Sequence, residues 1–421
     1  MNYLGFETGP MSSADRRPSR IIVLNDFAYI NGGTAQVALS GALGLARSGI
    51  RTTVFTAVPP VMEGLASENL DIVCIGQHEI FMDPNRLRAV MQGIWNKRAA
   101  QEMRKLLAGC DPGNTVVHVH GWIKALSSSP VRVALDSGFR VVCTVHDYFL
   151  ACPNGGFFDY PTERICLRAP MSLSCLLRNC DSRSYLQKVW RSCRQAVQQE
   201  FGRMPSGIRQ FIAISEFSKS VLLPFLPPGA VIHDVANPID MEKTAPVRVD
   251  EQDAFVAASR FSPEKGLRLF AKAASRVGAR TLFIGDGPGK DAILSELPGA
   301  VITGWLPRQA VVARLREARA LVLPSVCYET FGLTVLEAAA LGIPAIVPDS
   351  CAARELVEHM VTGLWFRGGD VDDLQSKMEI LMDAKRAAAL GKAAYDRYWA
   401  HPNTIERHVD ELLAVYRRVL S

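Results

Sequence analysis

A chain of 421 residues exceeds what one ordinary hydrophobic core organises and calls for two domains of middling size. Its apolar share of 48% and charged share of 21% exclude a disordered chain, and no apolar run reaches the length of a membrane span. The 47 basic and 42 acidic residues leave a net charge of +5; without a zinc-finger or RNA-binding signature, that mild excess does not imply nucleic acid, and none is expected as a partner.

Residues 1–19 carry charges, Ser and Pro but lack the apolar centre of a secretory signal, so they read as a loose leader. Ten cysteines without an export signal predict reduced thiols and a cytoplasmic location, peripheral at most to the inner membrane face. Strand and helix patterns then alternate to the end, the mark of an α/β protein with mostly parallel sheets. Arg20 to Asn25 is a short apolar strand. A loop with Asn31-Gly32-Gly33 follows, then a helix from Thr34 to Ser48 that stops at Gly49. Further strands are expected at Thr52–Thr56, Val116–Val119, Arg140–Val145 and Ile208–Ile214. The proline-rich stretch Pro224 to Asp240 reads as the passage between domains. Alternation restarts at Ala254–Ala258, Arg280–Ile284, Ala320–Pro324 and Pro344–Pro348.

This pattern predicts one Rossmann-like domain over 20–235 and a second over 236–400. A last helix within 401–421 is expected to pack back on the first domain. Residues 150–205 fit the alternation badly, being long, cysteine-bearing and arginine-rich, and are read as an insertion.

The second half carries the sharper signal. A buried strand ends near Pro324, a loop bears Glu329, Phe331 and Gly332, and a helix runs from Leu333 to Leu341 before the stop at Gly342. Backbone N–H groups of Gly332, Leu333 and Thr334 at that helix start suit a diphosphate. Glu337 stands about a turn further on, where a carboxylate can accept from ribose hydroxyls, and Glu329 can hold sugar hydroxyls. On spacing alone, two such glutamates are ordinary surface charges. The loop Ser259-Arg260-Phe261-Ser262-Pro263-Glu264-Lys265-Gly266 adds two cations able to neutralise a diphosphate leaving group. The turn Gly285-Asp286-Gly287-Pro288 and the pair Gly304-Trp305 each follow a strand.

In this order, the segments resemble the retaining glycosyltransferases of family 4, of bacterial surface-polysaccharide type. The resemblance covers nearly the whole chain after residue 20 and is most specific at Glu329 to Glu337 with Phe331-Gly332 between them; Asn237-Pro238-Ile239-Asp240 supports it. It implies the GT-B fold, two Rossmann-like domains facing across a cleft, with 20–235 on the acceptor side and 236–400 binding the nucleotide sugar. It implies a UDP- or GDP-linked nucleotide sugar as co-substrate, a glycan acceptor and no catalytic metal. Arg260 and Lys265 would bind the diphosphate, Glu329 the sugar and Glu337 the ribose. Phe331 to Thr334, Gly285, Asp286 and Trp305 would line the donor site, and the loop of Gly32 and Gly33 would close over it. His146 matches a histidine that contacts the transferred sugar near the reacting carbon. Reaction would proceed by front-face attack, the leaving phosphate helping to take the acceptor proton.

His120 and His146 both follow strands, at the rim where open α/β sheets bind ligands. His120 is placed either behind that site or on the acceptor side. Asp147, though adjacent, has no spacing that sets it beneath a sugar ring. From Arg164 to Arg209 there are nine basic residues and two acids. A helix over Ser184 to Phe201, with Trp190 among its cations, and a second basic run from Arg86 to Lys105 each read either as a solvated face or as one suited to an anionic membrane surface and a lipid-linked acceptor. Cys152, Cys166, Cys175 and Cys180 lie within the insertion and read either as free buried thiols or, although no Cys-x-x-Cys pair is present, as the four thiolates of a structural zinc. Two rival readings stand beside the transferase. One is a nucleotide-sugar epimerase, against which the Glu329 to Glu337 motif counts; the other is a non-catalytic sugar-nucleotide-binding partner of another transferase.

Overall fold

The computed structural model describes residues 17–65 and 67–421. The leader expected over 1–19 lies, up to residue 16, outside them. The first half holds β1 (Arg20–Leu24), β2 (Arg51–Thr56), β3 (Leu70–Cys74), β4 (Thr115–Val119) and β5 (Arg140–Thr144). The hairpin strands β6 (Phe158–Asp159) and β7 (Arg164–Ile165) come next, then β8 (Gln210–Ala213) and β9 (Val231–Asp234). Its helices are α1 (Gly33–Arg47), α2 (Arg86–Ile94), α3 (Lys97–Leu107), α4 (Ser129–Asp136), α5 (Leu173–Leu177), α6 (Tyr185–Glu200) and α7 (Glu216–Leu222). Seven strands form one sheet in the order β3-β2-β1-β4-β5-β8-β9, every pair parallel.

The second half repeats the plan with β10 (Ala254–Ala258), β11 (Thr281–Ile284), β12 (Val301–Ile302), β13 (Ala318–Val322), β14 (Ala345–Pro348) and β15 (Gly363–Phe366). They form a parallel sheet in the order β12-β11-β10-β13-β14-β15. The helices here are α8 (Leu267–Val277), α9 (Lys290–Glu296), α10 (Arg308–Leu315), α11 (Leu333–Ala340), α12 (Val371–Met382), α13 (Ala384–Ala400) and α14 (Ile405–Leu420). Both sheets are doubly wound Rossmann-like layers, and the fold is GT-B.

The central strands are apolar almost throughout because helices cover both faces of a parallel sheet. Ile21, Ile22, Val23 and Leu24 of β1 are all buried, as are Phe255, Val256 and Ala257 of β10. In each sheet the order reverses beside the first strand, β1 lying between β2 and β4, and β10 between β11 and β13. Such a reversal splays the loops at the carboxyl ends and leaves a crevice.

The end of the chain returns to the first sheet. Thr404 caps α14 by accepting the Arg407 N–H. Val409, Leu412, Leu413 and Tyr416 of α14 join the core formed by Ile21, Val23 and Leu39. Gly44 of α1 makes that approach close, since a Cβ there would stand 2.7 Å from Val409.

The reading of Pro224 to Asp240 as a bare passage needs correction, because β9 lies inside it and pairs with β8. Its apolar signal is only two residues long, between prolines and His233-Asp234. Strands β3 and β15 also escaped the pattern. β3, at the edge, is half-exposed, so it needs no continuous apolar run. No helix among the described residues is long and apolar enough to cross a membrane.

Candidate active site

The loops after β1, β4 and β5 face those after β10 to β13. Contact across the gap is direct: Thr330 donates its hydroxyl to the carbonyl of His146 at 2.9 Å, and Ser215 donates to the Thr330 carbonyl at 2.8 Å. Glu355 accepts the first N–H groups of α7, from Glu216 and Phe217, at 3.1 and 2.6 Å. A carboxylate there satisfies orphan donors at a helix start. Gly33 opens α1 with Leu333 of α11 3.1 Å from where its Cβ would be. The structure thus brings the Gly32-Gly33 loop, His146 and the Glu329–Thr334 segment together.

Lys265 and Glu329 form the central pair. The ammonium donates to both carboxylate oxygens, at 2.6 and 2.9 Å, and both side chains are about one-fifth exposed. Burial alone would lower the Lys265 pKa, but Glu329, with Cys327, outweighs it and holds the ammonium above its usual value. Arg260, more exposed, reaches Glu264 at 3.4 Å. Gly332 caps α11 with φ 126°, a left-handed conformation that side chains rarely adopt. This turn presents the N–H groups of α11 to the same gap as Lys265.

Glu337 is buried on α11, and burial raises its pKa while Arg308 pulls the other way. The guanidinium lies 3.4 Å from its carboxylate. Arg308 was not singled out from sequence. Its signal was a cation three residues after Trp305, just behind Pro307 at the start of α10. Trp305 is 64% exposed on a loop clipped to the preceding one by the Gly285 N–H to the Gly304 carbonyl, 3.1 Å. Gly285 has a structural cause as well: with φ 133°, a Cβ would meet the Ser259 carbonyl at 2.0 Å. Asp286 is exposed and accepts the Gly287 N–H at 2.8 Å.

Behind His146 lies a chain of histidines. His146 Nε2 is 2.9 Å from His120 Nδ1, and His120 Nε2 is 3.2 Å from His118 Nδ1. His118 also meets the Tyr416 hydroxyl at 2.6 Å and Thr144 at 2.7 Å. Of the two places considered for His120, the structure gives the one behind His146, at 3% exposure. Burial, then the other histidines, holds His118 and His120 well below the usual imidazole range. Burial, then His408, takes His146 down to about 3. The relay is therefore neutral. Asp147 turns back to accept the Phe149 N–H at 3.0 Å, and burial raises it to about 6. The sequence offered His118 and Tyr416 no signal, because their contact joins residues far apart in the chain.

Of the two readings of the insertion's cysteines, the structure gives free thiols and not a zinc site. Among the described residues no three His, Cys, Asp or Glu side chains are gathered as a metal site requires. Cys152, Cys166, Cys175 and Cys180 are free thiols. Cys152 meets Asn154 at 3.1 Å, and Cys180 meets its amide at 3.6 Å. Cys166 lies 3.9 Å from Arg168, and Cys175 accepts from the buried Lys188 ammonium at 3.3 Å. A resident cation beside Cys175 disfavours a second, and burial pushes Cys152 up to about 11, in its thiol form.

Comparison with known proteins fits this geometry. A model described as Glycosyltransferase Family 4 matches residues 31–243, just over half of the chain, and one described as Glycosyl transferases group 1 matches residues 252–384. The chain belongs to glycosyltransferase family 4. It is 32% identical over 168 residues to a GDP-mannose-dependent alpha-mannosyltransferase of Mycolicibacterium smegmatis, covering 38% of this chain and 42% of that one. It is 30% identical over 213 residues to a GDP-mannose-dependent alpha-(1-6)-phosphatidylinositol monomannoside mannosyltransferase of Mycobacterium tuberculosis, covering 44% and 53%. The chain thus matches about half the length, or less, of these curated relatives. Among solved structures, sucrose-phosphate synthase from Thermosynechococcus elongatus superposes with a TM-score of 0.68 at 17% identity, covering 96% of this chain and 99% of that one. Anabaena HepE in complex with UDP and glucose gives 0.63 at 16%, covering 94% and 99%. At these identities the likeness concerns the fold, and within family 4 the site rests on the distances above.

Proposed function

We propose that this family 4 chain is a retaining glycosyltransferase that moves a hexose-type sugar from a nucleotide sugar to a glycan acceptor without a catalytic metal. The acceptor would be lipid-linked, as in assembly of a bacterial surface polysaccharide. The observation that carries this reading is the Lys265–Glu329 pair, set at the start of α11 on one side of the gap with His146 on the other. Lys265, Arg260 and the N–H groups of Gly332 to Thr334 supply positive charge where a departing diphosphate would lie. Glu337 and Arg308 form a carboxylate–guanidinium pair suited to ribose hydroxyls, with Trp305 beside them for the base. Two relatives use GDP-mannose according to their names, which supports a GDP- or UDP-linked donor.

Glu329 is held by Lys265 on both oxygens, and Asp147 is tied to a backbone N–H. Neither is a free carboxylate for attack on a sugar carbon, which favours front-face displacement. On this reading Lys265 is shared between Glu329 and the leaving phosphate, and neutral His146 contacts the sugar.

A thermal-shift screen of UDP-glucose, UDP-N-acetylglucosamine and GDP-mannose tests the donor site. One of these should stabilise the protein, and Glu337→Gln should weaken that stabilisation by roughly tenfold in ligand concentration, the loss of one charged hydrogen-bonding partner. Equal stabilisation of the variant would remove Glu337 from the site.

A further inference from the structure

Helix α6 is turned inside out. Its buried side chains include Lys188, Ser192, Arg194, Gln195 and Gln198, while Leu186 is 80% and Val189 42% exposed. The inward polar groups bolt the helix to the loops behind it. Arg194 donates to the Pro153 carbonyl at 3.2 Å, Gln195 to Leu150 at 3.2 Å and Gln198 to Phe149 at 2.9 Å. Arg191 is spent on buried Asp181 at 2.9 Å. Trp190 lies between helices, its indole N–H on the Val90 carbonyl at 3.2 Å and its ring over Gly93 of α2. The expected cationic outer face of this helix is thus corrected: its cations point inward, and its apolar stripe points out.

Neighbouring elements extend the stripe. α2 packs on α6 and exposes Leu87 and Met91, at 72% and 61%. α5, joined to α6 by the Tyr185 hydroxyl on the Leu176 carbonyl at 3.0 Å, exposes Leu173 and Leu177, at 72% and 69%. An apolar surface assembled from three helices, one with its polar side buried, marks an interaction site and not scattered exposure.

The charge around it selects the partner. Asp83, Asp159 and Asp181 are buried and each is paired, with Arg88, Arg178 and Arg191. The exposed rim carries Arg86, Lys97, Arg98, Arg164, Arg183 and Arg168, the last also 3.6 Å from Asp159, against the exposed acids Glu163 and Glu200. Arg164, Arg168 and Arg178 also line an open cavity of about 600 Å³ around the single carboxylate of Asp159. An apolar plateau ringed by guanidinium groups fits the boundary between acyl chains and anionic headgroups.

We infer that the face formed by α2, α5 and α6 docks on an anionic lipid bilayer. The apolar side chains enter the acyl boundary and the rim arginines and lysine meet lipid phosphates. Because α6 is bolted to the loop that follows His146, docking brings the acceptor side of the cleft close to the bilayer. Only that last consequence rests on the transferase reading. Sedimentation with phosphatidylcholine vesicles, with and without phosphatidylglycerol, tests it. The protein should bind the anionic vesicles, and high salt should weaken binding by roughly tenfold or more. Leu87→Gln with Leu186→Gln should cost roughly tenfold, as should Arg98→Gln with Arg164→Gln. Both variants should keep the wild-type melting point and nucleotide-sugar stabilisation. Failure to bind either vesicle overturns the inference while leaving the transferase reading intact. So does equal binding to both, or a wild-type dimer, seen by sedimentation velocity, that the leucine variant dissolves.

Discussion

Lys265→Ala is expected to lower sugar transfer by roughly 10²- to 10³-fold, the usual loss when one preorganised group facing developing charge is removed. Glu329→Ala should fall as far, because it removes the proposed sugar contact and the anchor that aims Lys265. Each single change leaves its former partner without its ion-pair partner in a site only one-fifth exposed. The double variant Lys265→Met with Glu329→Gln removes both charges and controls for folding. It should melt near the wild-type temperature and still be inactive. Steady-state turnover of either single variant close to wild type would detach this pair from the chemistry.

Acid sensitivity is the second large effect. His118, His120, His146 and His408 all have pKa values lowered mainly by burial, His146 to about 3 and His408 to about 4. Between those values and the unfolded value near 6.5, the unfolded chain binds protons that the folded chain refuses. Their stabilisation is therefore complete above about pH 6.5 and drains away as pH falls. Asp147, raised to about 6 by burial, acts in the opposite sense below that value, as do Asp26 and Glu337, also raised by burial. His146 and His408 against Asp147 leave a net loss on the order of 2 kcal/mol from about pH 7.5 to about pH 5.5, and His118 and His120 act in the same direction. Urea unfolding at the two pH values measures it, and His408→Gln should flatten the slope by about one proton. Coincident unfolding curves would mean that the buried histidines do not govern acid stability.

The sequence made the donor side legible because it is local. Glu329 to Glu337 lies on one loop and one helix, Arg260 and Lys265 on one loop, and each is announced by a preceding apolar strand. The strands of both sheets showed where both faces are buried, and failed where an edge strand such as β3 needs no apolar run. Tertiary contacts were not readable. Arg308 meets Glu337 only after two crossovers, and Tyr416 meets His118 because α14 returns to the first sheet. Helix α6 misled for a physical reason: its cations and glutamines read as a solvated face, yet they hydrogen-bond carbonyls inside the insertion. The cysteines were counted correctly but not gathered into a metal site, since Asn154 engages Cys152 and Cys180 while the Lys188 ammonium sits against Cys175.

The most direct test of the account follows the anomeric configuration of the product. The protein, in excess chelator, would be given whichever nucleotide sugar stabilises it, together with lipid-linked oligosaccharide acceptors, and the new linkage read by NMR. Front-face transfer from the cleft of Lys265, Glu329 and His146 predicts a linkage with the same anomeric configuration as the donor, formed at full rate without added metal. An inverted linkage, loss of turnover in chelator, or conversion of the donor sugar without any acceptor product would contradict it.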